Sequence, residues 1–214
     1  GTNPAQYQFG LFFDADKPGI KLQGLKADGS VISSAADVVA DIKTNATNNF
    51  GYSGVFVEAD NISITGLKFL DNYVAGAVNN NKTVEVLGDN LTFKYNILAS
   101  TEGGSLYLND WNATTTTSHL KSYTIQGNKF QYGASLDISS GAGIEGPASG
   151  RVITANEFTS DGSTVTRASI SFNGIVPSIG WFTYPVGGAT ITNNSFSGVP
   201  MPIRSRGTVE NDFD

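Results

Sequence analysis

A short alternating pattern of apolar and polar residues recurs along the chain. Each copy begins with a large apolar residue and has a second one five positions later, as expected of a half-buried strand and the turn after it. The copies are Ile64–Phe69, Phe93–Leu98, Ile125–Phe130, Ile153–Phe158 and Ile191–Phe196, with Leu22–Leu25 as a degraded earlier copy. They begin about 28 to 42 residues apart, which is the spacing of repeat architectures.

The last four copies carry an asparagine at the same offset, namely Asn96, Asn128, Asn156 and Asn194. Asparagine tolerates the left-handed backbone region better than most residues, and its side chain can bond to nearby backbone groups. The pattern therefore predicts a turn at each of these positions. If the copies stack, it also predicts one column of asparagine amides that bond from coil to coil.

Two further short strands accompany each copy. Strands after the turns are predicted at Ser105–Leu108, Ser135–Ile138, Ser169–Phe172 and Pro202–Arg204, and strands before the copies at Val55–Val57 and Thr83–Val86. The segment Val55–Ile62 aligns residue for residue with Val84–Leu91 at an offset of 29. Three short strands per repeat predict an all-β, single-stranded parallel solenoid of about six coils, with like residues stacked about 4.8 Å apart. A sandwich does not require turns at one repeating offset, and a propeller blade needs four strands.

The segments between copies vary in length. Longer inserts at Ile32–Tyr52, Trp111–Leu120 and Ile175–Gly187 are expected to project as loops. Within the first insert, Ser33–Ile42 leaves two alternatives open: a short capped helix, or a loop that enters a strand at Val39–Ile42. The apolar Tyr7–Phe13 segment is expected to be a strand or a staple, and residues 1–214 are expected to form one domain.

The amino-acid composition supports this fold class and argues against two kinds of partner, nucleic acid and the lipid bilayer. The chain has 25 Gly, 13 Phe and only 15% charged residues, which suits short strands joined by polar turns. Its net charge of −6, without a basic stripe, predicts no nucleic-acid partner. No apolar stretch is long enough to span a bilayer, so we expect no membrane insertion. The absence of cysteine excludes disulfides and thiolate metal sites.

Both ends of the chain suggest a larger context. It begins at Gly1 without an initiator methionine, and the last predicted coil runs into Gly207–Phe213 without an amphipathic capping helix. Solenoid ends expose unpaired backbone and an open core, so natural ones are capped. We therefore expect a piece of a larger protein, with end-to-end contact to further chain or to another subunit.

The Ile-x-x-Asn-x-Phe copies resemble the right-handed parallel β-helix of the pectate-lyase-like superfamily, over about Leu22 to Phe213. This resemblance is to a degenerate fold pattern. It implies a right-handed coil with loops that project from it. Members of the superfamily include polysaccharide lyases, glycoside hydrolases, pectin esterases, phage tailspikes and non-catalytic surface proteins, so the fold alone does not select a function.

Catalytic motifs expected from this resemblance are missing. The chain has no Asn-Thr-Asp, Asp-Asp or Gly-His-Gly motif, and its one histidine, His119, lies in a Thr/Ser-rich insert. No acidic triple for calcium stands on a strand, and Asp14–Gly19 is interpreted as a turn, since the twelfth position of a calcium loop would be Leu25. We expect no cofactor and no metal site, and the sequence does not decide whether the protein is an enzyme.

Strand parity indicates a candidate binding surface. If the leucines, isoleucines and phenylalanines of the shorter strands point inward, their neighbours point outward. The outward columns are then Tyr107, Asp137, Ser171 and Arg204, and beside them Asn109, Ser139, Asn173 and Arg206. Tyr107 and the nearby Trp111 offer flat apolar faces, while Asp137, Asn109, Asn173 and Arg204 offer hydrogen-bonding groups, a combination that suits a sugar ring.

These observations predict an extracellular or cell-surface β-helix module with a structural or glycan-contacting, non-catalytic role and a polysaccharide as its partner. A first alternative is a polysaccharide lyase or glycoside hydrolase that acts in the groove beside these columns. A second is a self-assembling surface-layer or filament subunit. Asp137 and Arg204 are a poor acid–base pair, because two coil steps separate them by nearly 10 Å.

Overall fold

The computed structural model describes residues 8–46, 52–73, 82–100, 104–109, 122–139, 150–160, 168–173 and 189–206. These residues form three parallel sheets of seven, six and six strands. Sheet 1 contains β1 (Gln8–Phe13), β4 (Tyr52–Val57), β7 (Lys82–Val86), β10 (Ser105–Asn109), β13 (Ser135–Ser139), β16 (Ile170–Asn173) and β19 (Ile203–Arg206). Sheet 2 contains β2 (Lys21–Gln23), β5 (Ser63–Thr65), β8 (Leu91–Lys94), β11 (Tyr123–Gln126), β14 (Arg151–Thr154) and β17 (Thr190–Thr192). Sheet 3 contains β3 (Asp41–Ala46), β6 (Lys68–Tyr73), β9 (Ile97–Ser100), β12 (Lys129–Gln131), β15 (Glu157–Thr159) and β18 (Ser195–Ser197).

The chain visits the three sheets in the same order in every turn. Each strand pairs in parallel with the strands three before and three after it, so that β1 pairs with β4 and β4 with β7. The result is a right-handed parallel β-helix of six turns, followed by one more strand of sheet 1. This architecture confirms the fold that the repeated pattern predicts, including the number of coils.

The core consists of columns of like residues from successive turns. In sheet 1, Val55, Val84, Leu106, Leu136 and Ile170 are in register and have no exposed surface. Sheet 3 contributes a stack of phenylalanines, whose ring centroids lie 4.5 Å apart for Phe130 and Phe158 and 5.2 Å apart for Phe158 and Phe196. Each fully buried side chain of this kind contributes about 1.5–3 kcal/mol, which makes the columns the main source of stability.

The predicted asparagine column is confirmed, and it runs through the interior. Asn96 and Asn128 each accept a hydrogen bond at Oδ1 from the backbone N–H of the previous turn, at 3.0 and 2.8 Å. Asn156 and Asn194 continue the pattern at 3.0 and 2.9 Å. Each Nδ2 donates to a carbonyl of the previous turn at 2.9 or 3.0 Å. The amides therefore satisfy backbone groups that would otherwise be buried without partners.

A second ladder occupies the corner between sheets 1 and 2, and it was not anticipated. Asp60 Oδ1 accepts the N–H of Asp89 at 2.7 Å, and Asp89 Oδ1 accepts the N–H of Ser122 at 2.7 Å. Beside it, Asn90 Nδ2 donates to Asn61 Oδ1 at 2.7 Å. The sequence signal for this ladder was the Asp-Asn pair repeated at an offset of 29 residues.

The first insert is more ordered than a projecting loop. The prediction for Ile32–Tyr52 was wrong in part, because Asp41–Ala46 forms β3 and pairs along its whole length with β6. Both alternatives for Ser33–Ile42 occur, one after the other along the chain. Ala35–Asp37 is a single 3-10 turn capped by Ser34, and the strand follows it. The strand begins at Asp41 and ends at Ala46, so the predicted bounds of Val39–Ile42 start two residues too early and end four residues too early.

Two other predictions for segments outside the repeated copies are confirmed. Tyr7–Phe13 contains β1, and Asp14–Gly19 is a turn closed by the Lys17 N–H on the Asp14 carbonyl at 2.9 Å. The inserts Trp111–Leu120 and Ile175–Gly187 lie outside the described residues. Within the described ranges, no helix has the length and apolarity needed to cross a membrane.

Candidate functional site

The outward positions of sheet 1 form one continuous column. We call it the outer column; it contains Phe12, Phe56, Glu85, Tyr107, Asp137, Ser171 and Arg204, which are paired in register from strand to strand. The sequence predicted the register of its last four members, and the structure confirms that register. At the other end of the column, the rings of Phe12 and Phe56 stack with centroids 5.8 Å apart.

Tyr107 lies at the centre of the outer column and is half-buried. The ammonium group of Lys82 lies 4.3 Å from the centroid of its ring and also forms an ion pair with Glu85. A cation over an aromatic face contributes about 0.5–1 kcal/mol at an exposed site and more where water is excluded. Lys82 therefore fixes the ring and neutralises the neighbouring carboxylate, so that one face of Tyr107 is occupied.

Asp137 is the neighbour of Tyr107 on the next strand. Only 8% of its surface is exposed, and its Oδ2 accepts a hydrogen bond from Ser135 Oγ at 2.9 Å. The column was predicted to be an exposed polar face, whereas Asp137 is nearly buried and Ser171 has no exposed surface. Strand parity determines which face of a sheet a side chain points to, but it does not determine whether that face is covered.

Arg204 closes the column at the last strand. It is half-buried, and its Nη2 donates to Ser171 Oγ at 2.9 Å. A guanidinium carries five donors in a rigid fork, so it can make several contacts at once. Arg204 is thus bonded to its neighbour in the column, and Lys82, which lies outside the column, contacts two further neighbours, Glu85 and Tyr107.

The remaining predicted site residues belong to the neighbouring column or lie elsewhere. Asn109 is in register with Ser139, and Ser139 with Asn173, so these positions are one strand step apart, as predicted. Trp111 lies outside the described residues. The structure thus unites five of the six predicted positions on sheet 1, and their role in binding stays a prediction.

The outer column also contains a carboxylate that the sequence did not single out. Glu85 and Asp137 lie on either side of Tyr107, one strand step away in each direction. Two steps of about 4.8 Å place their backbone positions about 10 Å apart. Asp137 and Arg204 are separated by the same number of steps, so they do not form a direct acid–base pair. Among the described residues, no three His, Cys, Asp or Glu side chains converge as metal ligands.

One polar pair stands inside the helix rather than on its surface. Tyr123 and Arg151 occupy inward positions of sheet 2, are in register, and expose only 2% and 4% of their surface. Burial raises the pKa of the Tyr123 hydroxyl. Burial also lowers the pKa of Arg151, although the charges of Tyr123 and Asp89 partly offset this by raising it. Arg151 stands in register with Tyr123, and Tyr123 with Leu91, so the polar pair continues an inward column that begins with an apolar residue.

No family model, curated protein or solved structure matches this chain. The fold and the arrangement of the outer column are therefore the observations from which its function must be argued.

Proposed function

We propose that this chain is an extracellular or cell-surface β-helix module with a non-catalytic role, in which the outer column contacts a glycan. The observation that carries the proposal is the grouping of Tyr107, Lys82, Glu85 and Asp137 on one rigid sheet face. Aromatic rings bind the apolar face of sugars, and charged groups on the same face bind hydroxyls through strong hydrogen bonds. The charged groups that a glycan can reach here are the half-buried Lys82 and Arg204, since Glu85 and Asp137 expose only 7% and 8% of their surface. The resemblance of the repeated copies to the pectate-lyase-like superfamily supports the location and the partner class.

The architecture supports the structural part of this role. Core columns and two polar ladders run in register through successive turns, so each turn is held by the next one. Because every contact repeats at a strand step, the molecule forms a stiff support, and side chains on its outside keep a fixed spacing. Such a support holds a polymer better than it closes around a small ligand.

The glycan contact is tested by Tyr107→Ala and Arg204→Ala. We expect Tyr107→Ala to weaken binding to a polysaccharide identified by screening about three- to tenfold, because an aromatic contact is lost. Arg204→Ala should weaken it about two- to fivefold, as for one partly exposed charged contact. Affinity electrophoresis measures both effects, and Thr124→Ala on the outer face of sheet 2 is the matched control. Equal affinity of all four proteins would contradict the proposal.

An enzymatic role is the second candidate. The separation of Glu85 and Asp137 favours it, whereas their low exposure and the Lys82–Glu85 ion pair count against it. Inverting glycosidases use two carboxyl groups about 6.5–9.5 Å apart, and side chains from positions about 10 Å apart can reach that separation. Assays for reducing ends and for unsaturated products on uronate and neutral polysaccharides test it. Turnover that Asp137→Asn abolishes and Asp60→Asn preserves would establish the enzyme, and no turnover on any substrate would leave the non-catalytic role.

End-to-end assembly is a third proposal, and the strand count restricts its form. Leu11 of β1 and Ile203 of β19 occupy the ends of one core column and are 38% and 39% exposed. Both strands belong to sheet 1, so stacking β1 of one copy on β19 of another would leave one strand level vacant in sheets 2 and 3. An end contact therefore needs additional residues from either copy at those two levels.

A further inference from the structure

Sheet 1 contains one strand more than the other two sheets, and this strand keeps the two ends of the helix from matching. Sheet 1 has seven strands, whereas sheets 2 and 3 have six each. A stack of two copies needs additional residues in sheets 2 and 3 only while β1 and β19 both keep their places. If one of these two strands leaves sheet 1 at the contact, all three sheets continue from one copy into the next.

The inward residues at both ends of the helix are only partly covered. At the first turn, Leu22 and Ile42 are half-buried, although the residues in register with them on the second turn are buried. At the last turn, Ile191 and Phe196 are half-buried and belong to the same two columns. Covering apolar side chains of this kind favours association, and one further turn would cover either end.

The edge strand β1 lacks the features that keep an edge strand from pairing with another chain. Natural sheets protect their edges with charged side chains, with proline or with a covering segment. β1 reads Gln-Phe-Gly-Leu-Phe-Phe, without a charge or a proline, and its Leu11 and Phe12 are 38% and 48% exposed. It therefore presents an apolar edge that suits pairing with a further strand.

β19, at the opposite edge of sheet 1, carries such protection. Pro202 directly precedes this strand, and two of its four residues are Arg204 and Arg206. Proline offers no N–H to a neighbouring strand, and charged side chains oppose the burial of an edge. The last strands of the other sheets, β17 and β18, contain neither a charge nor a proline. The protection at this end is therefore concentrated in β19.

β1 is also better suited than β19 to the place beside β16. β19 turns Ile203 and Ser205 inward, and Ser205 is in register with the buried Phe172. β1 turns Leu11 and Phe13 inward at the corresponding two positions of its own end. A buried phenylalanine contributes more to stability than a serine at the same position, so β1 would complete these core columns better than β19 does.

We propose that copies of this chain assemble head to tail by strand replacement, with β1 of one copy taking the place of β19 beside β16 of the next copy. β17 then pairs with β2, and β18 with β3, of the added copy, so that the contact repeats the parallel pairing between successive turns. The proposal rests on the end-to-end assembly described above and names a second copy of this chain as the partner. Because the contact is heterologous, it can repeat and form an open filament.

Strand replacement exchanges one strand pair for three. The pairing of β19 with β16 is lost, together with the hydrogen bond from Arg204 to Ser171. In return, β1, β2 and β3 each gain a partner strand, and the open core is covered on both sides of the contact. Since the gain requires a second copy, assembly increases with protein concentration. While β19 keeps its place, it caps the C-terminal end and favours the monomer.

Engineered disulfides distinguish strand replacement from plain stacking, because the chain contains no cysteine. Replacement places Phe12 of one copy beside Ser171 of the next, whereas stacking on β19 places it beside Arg204. Neighbouring strand positions lie about 4.8 Å apart, which is within the Cα range of a disulfide. Within one copy, β1 and β16 are five strand steps apart, so the same pair cannot close inside a monomer.

We expect the double variant Phe12→Cys with Ser171→Cys to give a ladder of disulfide-linked multimers on a non-reducing gel after mild oxidation. Phe12→Cys with Arg204→Cys should stay monomeric. Phe56→Cys with Ser171→Cys is the matched control, since Phe56 lies in the same column one turn inside the helix. It should stay monomeric as well.

Light scattering tests the capping role of β19 without cysteines. Ile203→Ser weakens β19 in its place and should raise the fraction of assembled chain about five- to tenfold. Leu11→Ser weakens β1 as a core strand and should lower that fraction about five- to tenfold. Leu25→Ser removes a similarly exposed leucine from the first insert and should leave the fraction unchanged.

Two results would overturn the assignment in different ways. Disulfides formed through Arg204 but not through Ser171 would replace it with plain stacking, and end-to-end assembly would stand. A monodisperse monomer in every variant at the highest soluble concentration, without disulfide-linked multimers, would reject strand replacement and end-to-end assembly together.

Discussion

Replacing Asn128 with alanine should lower the free energy of unfolding by roughly 3–5 kcal/mol. The Asn128 amide is 1% exposed; it accepts bonds from the N–H and Nδ2 of Asn96 and donates to the Phe93 carbonyl and Asn156 Oδ1. Each buried polar group left without a partner costs about 1–3 kcal/mol, and alanine satisfies none of them. For a chain of this size, the melting temperature should fall by roughly 6–20 °C in a calorimetric scan.

Asn194→Ala is the matched control at the end of the same ladder. Asn194 makes equivalent bonds to Asn156 and to the Ile153 carbonyl, but it is half-buried, so water can replace part of what is lost. We expect this substitution to cost about 1–2 kcal/mol. Equal losses at Asn128 and Asn194 would show that burial does not set the contribution of the ladder.

The ladder also shows why so much of the fold could be predicted from the sequence. Asn128 and its equivalents recur because every turn presents the same backbone groups to be satisfied, and a repeated requirement produces a repeated residue. The ladder ends at Leu67, which stands at the asparagine position of its turn and whose N–H donates to Asn96 Oδ1. In the preceding turn, the segment from Gly24 to Ala40 replaces the regular corner, so that turn does not present the same backbone groups. The regular turns can therefore be predicted from the repeat, whereas a strand in the irregular first insert was one of two alternatives, and β3 has other bounds than the predicted Val39–Ile42.

The candidate site was less predictable, for a physical reason. Period-two alternation gave the register of Tyr107, Asp137 and Arg204 correctly, because strand pairing follows the core residues. Burial of the outer face depends on what covers it, which alternation does not show. Alternation does put Glu85 on this face, because Val84 and Val86 point inward, but its ion pair with Lys82 depends on side-chain conformation.

Tyr95, at the corner between sheets 2 and 3, shows another feature that the sequence alone does not reveal. Tyr95 looks like one more apolar residue in the repeated pattern, where it stands just before the ladder asparagine. Its significance comes from its backbone angle and from Gly127 in the next turn, 32 residues later. The two residues come together only because successive turns stack, so the sequence of a single repeat does not reveal that the Tyr95 ring lies against Gly127.

Close stacking is also the basis of the second large effect, at Gly88. This glycine lies at the corner between sheets 1 and 2, directly against Ala59 of the previous turn, at the offset of 29 residues that the sequence repeats. A Cβ at Gly88 would stand 2.0 Å from the Ala59 carbonyl oxygen and 3.0 Å from that of Glu58. Both are backbone atoms, and the Leu87 N–H holds the Val57 carbonyl at 2.7 Å, so neither turn can move away.

Gly88→Ala should therefore cost more than about 3 kcal/mol, because the clash forces neighbouring turns apart rather than rotating a side chain. Gly29→Ala separates this effect from backbone preference. Gly29 has a φ of +82° with nothing within 4 Å of a built Cβ, so its substitution should cost only about 1–2 kcal/mol, from the left-handed conformation alone. Denaturant unfolding of the two variants measures the difference. If Gly88→Ala were no more destabilising than Gly29→Ala, the turns at this corner would not be close enough for a Cβ at position 88 to clash with the Ala59 carbonyl.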